Sequence, residues 1–163
     1  MSQTSDQNLP GIRFMAEAIR IATANVADGG GPFGAVVVRE GRIIARGVNR
    51  VTNDHDPTAH AEVQAIRAAC RQLGSFQLDG CEIYCSTEPC PMCLGAIYWA
   101  RPDRVWYAAT KADAAAAGFD DDFIYQELDR PREERHLPMR QLASDDVMEP
   151  FRAWADSVDR IEY

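Results

Sequence analysis

The stretches "HAEVQAIRAAC" (residues 60–70) and "EPCPMC" (residues 88–93) decide how this chain is read. The first has the apolar spacing of an amphipathic helix, with Val63, Ile66 and Ala69 expected on its buried face. In a regular helix positions i and i+2 lie about 200° apart. His60 and Glu62 can therefore converge only if His60 sits at the helix mouth, before the backbone turns helical. The preceding "DPTA" supports that placement, with Asp56 or Thr58 available as a cap. In the second stretch Cys90 falls at the N-cap of another helix, Pro91 in its first turn and Cys93 one turn inside. Both sulfurs then face one point. One imidazole and two thiolates from two helix starts make a three-ligand tetrahedral Zn²⁺ site, with His60, Cys90 and Cys93 as ligands and one position left for water. Glu62 is a carboxylate beside that position, placed to take a proton and return it.

Working outward, Ile12, Met15, Ala16, Ile19 and Ala22 recur at helical spacing and predict a first helix ending near "ADGGGP". "FGAVVVREGRIIARGVN" reads as two strands joined by a turn at Glu40-Gly41. "VTNDHDPT" reads as a polar loop, "CEIYCS" as a strand, "PMCLGAIYW" as a helix, "RVWYAA" as a strand and "KADAAAAG" as a helical turn. "LPMRQL" is a candidate fifth strand, and Val147, Phe151, Trp154, Ala155 and Val158 predict the apolar face of a final helix. Helices alternating with apolar strands predict an α/β class, a three-layer α/β/α fold on a five-stranded mixed sheet. No repeat or linker divides residues 1–163, which are expected to form a single domain.

Composition is that of a globular chain: 163 residues, 46% apolar and 26% charged. Seventeen basic and 25 acidic residues give a net charge of −8, which offers a phosphate backbone no long-range attraction, so no nucleic-acid partner is expected. The longest apolar run, "CLGAIYWA", is too short to span a bilayer, so no membrane partner is expected either. The polar opening "MSQTSDQNLP" has no basic n-region or apolar h-region, and a cytoplasmic location is expected. Five cysteines, Cys70, Cys81, Cys85, Cys90 and Cys93, make a poor disulfide framework and suit reduced thiols.

The pattern "HAE…PCPMC" resembles the cytidine deaminase-like superfamily of zinc hydrolases. "GGPFGAVVV", "DPTAHAEV", "EPCPMCLGAIYWARP", "AGFDDDFIY" and "PFRAW…EY" are similar to its small bacterial guanine deaminases throughout. The resemblance implies one zinc per chain, held by His60, Cys90 and Cys93, with Glu62 as proton shuttle. It implies that Asn49 and the Ala61 backbone contact a purine, that Phe33 and Trp99 line the pocket, and that Asp121 helps protonate the departing amine. Asp113 is the competing carboxylate. The activity implied is hydrolytic deamination of guanine to xanthine and ammonia.

The tail "PFRAWADSVDRIEY" ends on an aromatic residue, where chain ends are ordinarily frayed. A free-base enzyme must close the side where a nucleoside carries its sugar. In related guanine deaminases the tail reaches a partner subunit's active site. A homodimer is therefore expected, with residues 144–163 capping the purine pocket, in trans, and Tyr163 touching the base. Three readings compete: a tRNA adenosine deaminase, or another nucleobase or nucleoside deaminase, which shares the zinc motif; a non-catalytic zinc-binding module; and a closed zinc knot in which Cys85 is a fourth ligand.

Overall fold

Helix α1 (Ile12–Ala27) opens the part of the chain that the computed structural model describes, residues 11–163. Strands β1 (Gly34–Arg39) and β2 (Arg42–Val48) follow as an antiparallel hairpin. Its two turn residues, Glu40 and Gly41, have φ of 51° and 71°. That is the positive-φ pair whose twist matches a two-residue hairpin, and the expected turn is where it forms. A short helix α2 (Val51–Asp54) lies inside the segment expected to be loop. Then come α3 (Ala61–Leu73), β3 (Cys81–Thr87), α4 (Pro91–Ala100), β4 (Arg104–Ala109) and α5 (Lys111–Ala116). Helix α6 (Asp122–Asp129), a 3-10 turn at Arg132–Glu134 and helix α7 (Glu149–Asp156) complete the chain.

The sheet order is β2-β1-β3-β4, with β1 antiparallel to both neighbours and β3 parallel to β4. Side chains alternate across β1 and so build two cores. Val36 and Val38 join Tyr84 against Phe14, Ala18 and Ile21 of α1. Ala35 and Val37 join Ile83 and Cys85 against Ala61, Ala65 and Ala69 of α3 and Ile97 and Ala100 of α4. The three-layer α/β/α architecture is thus present. Gly47 lets the layers meet closely, since a Cβ there would lie 2.1 Å from the Ala61 carbonyl oxygen.

The mixed sheet has four strands among the described residues, not five. "LPMRQL" forms no ladder; Leu137, Met139 and Leu142 are exposed, and Pro138 lacks the N–H a strand would need. The buried face of α1 is also rotated from expectation: Phe14, Ala18, Ile21, Ala22 and Asn25 are buried, while Ile12 and Ile19 are exposed. On α3 the buried set is Ala61, Glu62, Ala65 and Ala69, with Val63 and Ile66 only partly covered.

The chain separates into two compact units, Met1–Asp122 and Phe123–Tyr163. Within the second, the Arg135 guanidinium donates to the carbonyls of Leu128 and Arg130, both at 3.2 Å, closing the end of α6. Phe123, Ile124, Leu128, Leu137 and Met139 line much of a cleft of about 540 Å³. Phe151 and Trp154 of α7 are exposed, and the Trp154 and Tyr163 rings meet edge to face at 6.5 Å. The opening segment "MSQTSDQNLP" lies outside the described residues.

Candidate active site

Two helix starts carry the cluster. His60 is the N-cap of α3 (φ −72°, ψ 156°) and Cys90 the N-cap of α4 (φ −66°, ψ 168°). Both have the extended backbone of a cap, so each side chain projects from the helix mouth rather than from its flank. This resolves the i/i+2 conflict between His60 and Glu62. No side chain caps either helix. Asp56, proposed as a cap, instead accepts from the Thr58 N–H at 2.8 Å and the Thr58 hydroxyl at 2.7 Å, tightening the turn before His60.

The imidazole Nδ1 of His60 stands 3.5 Å from the Sγ of Cys90 and 3.5 Å from that of Cys93. A tetrahedral ion with Zn–N of about 2.0 Å and Zn–S of about 2.3 Å sets that separation at about 3.5 Å. The donor set and its spacing fit zinc, and the three residues form the one metal-competent cluster of this kind among the described residues. Cys85, the fourth ligand of a closed knot, is not part of it. Its thiol is buried in the β3 core, where burial pushes its pKa well above the ordinary thiol value.

The two sulfurs differ in acidity. The hydrogen bond from Cys93, then the one with His60, brings the Cys90 thiol down to about 4. Cys93 is raised by its hydrogen bond to Cys90 and by burial. His60 is raised chiefly by its bond to Cys90. A dication here needs two thiolates and a neutral imidazole, so its binding would displace the Cys93 proton and any proton that the bond to Cys90 keeps on His60. The positive ends of α3 and α4 favour the thiolates.

Glu62 is buried, and burial raises its carboxyl pKa. The Cys93 thiol lies 3.4 Å from its Oε2. A carboxyl held dry beside the ligands can keep a proton that a solvated one would lose. Ala61 is completely buried at the first position of α3. Asn49, also buried, follows the last β2 residue; its Oδ1 accepts from the Val51 N–H at 3.3 Å.

The two competing aspartates separate by environment. Asp113 forms a capping box with Thr110 on α5, its Oδ2 accepting from the Thr110 N–H at 2.8 Å and hydroxyl at 2.7 Å. Asp121 is partly buried ahead of α6; burial, then the Cys90 charge, raises its pKa. Phe33 meets Phe119 edge to face at 4.9 Å, joining the loop before β1 to the segment that carries Asp121. Phe119 was not singled out from the sequence, although it stands inside "AGFDDDFIY". Trp99 is 63% exposed on α4, six positions beyond Cys93 and so about 120° around the helix from it. Tyr163 belongs to the second unit and is exposed there.

A histidine and two cysteines at two helix starts, with a buried carboxyl against them in a three-layer mixed fold, define a zinc-dependent deaminase centre. The chain belongs to the cytidine and deoxycytidylate deaminase family, whose zinc-binding region matches residues 11–109. Over 151 residues it is 57% identical to the guanine deaminase of Bacillus subtilis (strain 168), covering 92% of this chain and 97% of that one. The crystal structure of guanine deaminase from Bacillus subtilis superimposes with a TM-score of 0.91 at 56% identity, over 93% of this chain and 98% of that one. A solved guanine deaminase from Nitrosomonas europaea aligns with a TM-score of 0.64 at 38% identity, over 66% and 63% of the two chains. The tRNA-specific adenosine deaminase of Aquifex aeolicus (strain VF5) is 44% identical over 96 residues, 59% of this chain and 64% of that one.

Proposed function

We propose that this chain is a zinc-dependent guanine deaminase, converting guanine and water to xanthine and ammonia. The observation that carries the reading is the tetrahedral spacing of His60, Cys90 and Cys93 against a buried Glu62, in a chain alike to a guanine deaminase over nearly its full length. The tRNA adenosine deaminases are more distant relatives, alike over a smaller part of the chain.

Zinc, bound by those three residues, supplies Lewis acidity that lowers the pKa of water. Glu62 receives the proton and delivers it to the ring nitrogen next to C2 of guanine. Its raised pKa suits both directions of that transfer. Asn49 has its side-chain Oδ1 committed to the Val51 N–H, which leaves its NH₂ to donate to an acceptor on the purine edge. The Ala61 backbone meets the base beside it. Phe33, steadied by Phe119, lines the pocket, and Asp121 gives the departing amine its proton.

Trp99 and Tyr163 complete the pocket in a homodimer whose segment 144–163 closes over the base of the partner. Two observations support this assembly. Helix α4 is apolar on its exposed side too, with Leu94, Tyr98 and Trp99 uncovered. The second unit exposes Phe151, Ile161 and Tyr163. No described helix is long and apolar enough to cross a membrane, and the reading places the enzyme in the cytoplasm without a nucleic-acid partner. Ammonia release from guanine, guanosine, adenine, cytosine, ammeline and a tRNA anticodon stem-loop tests the substrate. Guanine should have the highest kcat/KM, and a stronger preference for adenosine in a tRNA stem-loop would overturn the assignment.

A further inference from the structure

We propose that Asn25, on α1 and so away from the ligands and Glu62, is a positioning residue for the purine and acts through Asn49. The proposal rests on the reading of Asn49 as a purine contact. Asn25 sits at the end of the buried face of α1 and is 5% exposed. Its Nδ2 donates to two main-chain carbonyls, that of Gly31 at 2.9 Å and that of Asn49 at 2.7 Å. Two carbonyl acceptors can be met only by an NH₂ group, so the amide orientation is fixed by chemistry.

The β1–β2 ladder ends at the pair Gly34↔Val48, one residue before Asn49. Asn49 is therefore held by other means. Its N–H donates to the Phe33 carbonyl at 3.1 Å, and its C=O is taken by Asn25. The glycine loop is shaped to permit this clamp: a Cβ on Gly30 would lie 2.2 Å from Asn25 Nδ2 and 2.6 Å from the Asn49 oxygen. A Cβ on Gly31 would lie 3.0 Å from the Asn49 amide. The glycines thus let α1 reach across to the residue that reads the base. Loss of the two donors frees the Asn49 peptide and strands a buried carbonyl.

A double-mutant cycle on the full-length, zinc-loaded enzyme tests this. Asn25→Leu, which keeps the branching of the side chain and removes both donors, should raise KM for guanine by about tenfold, with kcat within about twofold and zinc content unchanged. In the Asn49→Ala background the same substitution should change KM by less than about twofold, because the contact it positions is gone. A merely structural role would lower stability and affect both backgrounds alike. An unchanged KM in the otherwise native enzyme, or an equal rise in both backgrounds, overturns the proposal. If Asn49→Ala alone leaves KM unaltered, the reading of Asn49 fails, and the proposal with it. Should Asn25→Leu fail to fold, Asn25→Ser, which leaves room for a bridging water, is read by the same cycle.

Discussion

Cys85 and Asp113 occupy the two positions where the site could have been assigned differently, and each has a physical occupation elsewhere. The Cys85 thiol is buried in the β3 core and stands outside the metal cluster. Cys85→Ser should therefore leave one zinc per chain by elemental analysis and leave turnover in place, whereas a four-ligand knot would lose its metal. Asp113 closes the capping box of α5, and Asp121 is the aspartate whose charge is felt at His60 and Cys90. Asp121→Asn should depress kcat for guanine more than it raises KM, by about 10²-fold if the group is a general acid. Asp113→Asn should lower the melting temperature by fraying α5 and change kcat much less. The reverse ranking in kcat moves the role to Asp113. The ligands and Glu62 were legible because they are local: two cap positions and a one-turn spacing fix where the side chains go. Asn25 and Phe119 were not, because their meaning comes from chain segments distant in sequence.

At the scale of elements, helix α1 is tied to β2 by one carboxylate between two guanidiniums. Glu17 accepts from Arg20 Nε at 2.7 Å and from Arg46 Nε at 2.7 Å. Those hydrogen bonds, Arg20 first, bring its pKa from 4.5 down to about 2. A carboxylate held lower in the folded state than in the unfolded one stabilises fully above its unfolded value and loses that contribution as pH falls through its folded value. The wild-type advantage over Glu17→Gln in urea midpoint should thus be present near neutrality and shrink from about pH 4.5 towards about pH 2. Both arginines face solvent, so the advantage should be small and fall with added salt. A gap independent of pH would contradict the ionic tie. The hairpin, β3, β4 and the two site helices were readable from turn chemistry, alternation and cap spacing. The face of α1 was not, because it carries two apolar stripes: Ile12 and Ile19 on one, Phe14, Ala18 and Ile21 on the other. Small Ala18 and Ala22 allow the second stripe to lie against the sheet, and periodicity alone does not weigh that. The misplaced fifth strand has a similar origin, an alternating pattern around a proline with no ladder to join.

For the whole molecule, in the proposed homodimer the tail of one chain serves the centre of the other. A protein lacking residues 150–163 should show a sharply raised KM for guanine and low activity. Glu62→Gln in the full-length chain should be inactive for a different reason. Mixed and reassembled, the two should recover part of the wild-type activity, since a heterodimer pairs one intact Glu62 with the other chain's intact tail. Absence of recovery, with the heterodimer demonstrated by mass, would rule out closure in trans.

On the proposed mechanism Glu62, beside zinc held by His60, Cys90 and Cys93, moves the protons of guanine deamination. The most direct measurement is ammonia release from guanine by wild-type and Glu62→Gln enzymes of equal zinc content. The variant should retain its fold and bind guanine, and its kcat should fall by about 10²–10⁴-fold or more. A zinc-replete Glu62→Gln enzyme that turns guanine over at the wild-type rate would show that Glu62 is not the proton shuttle.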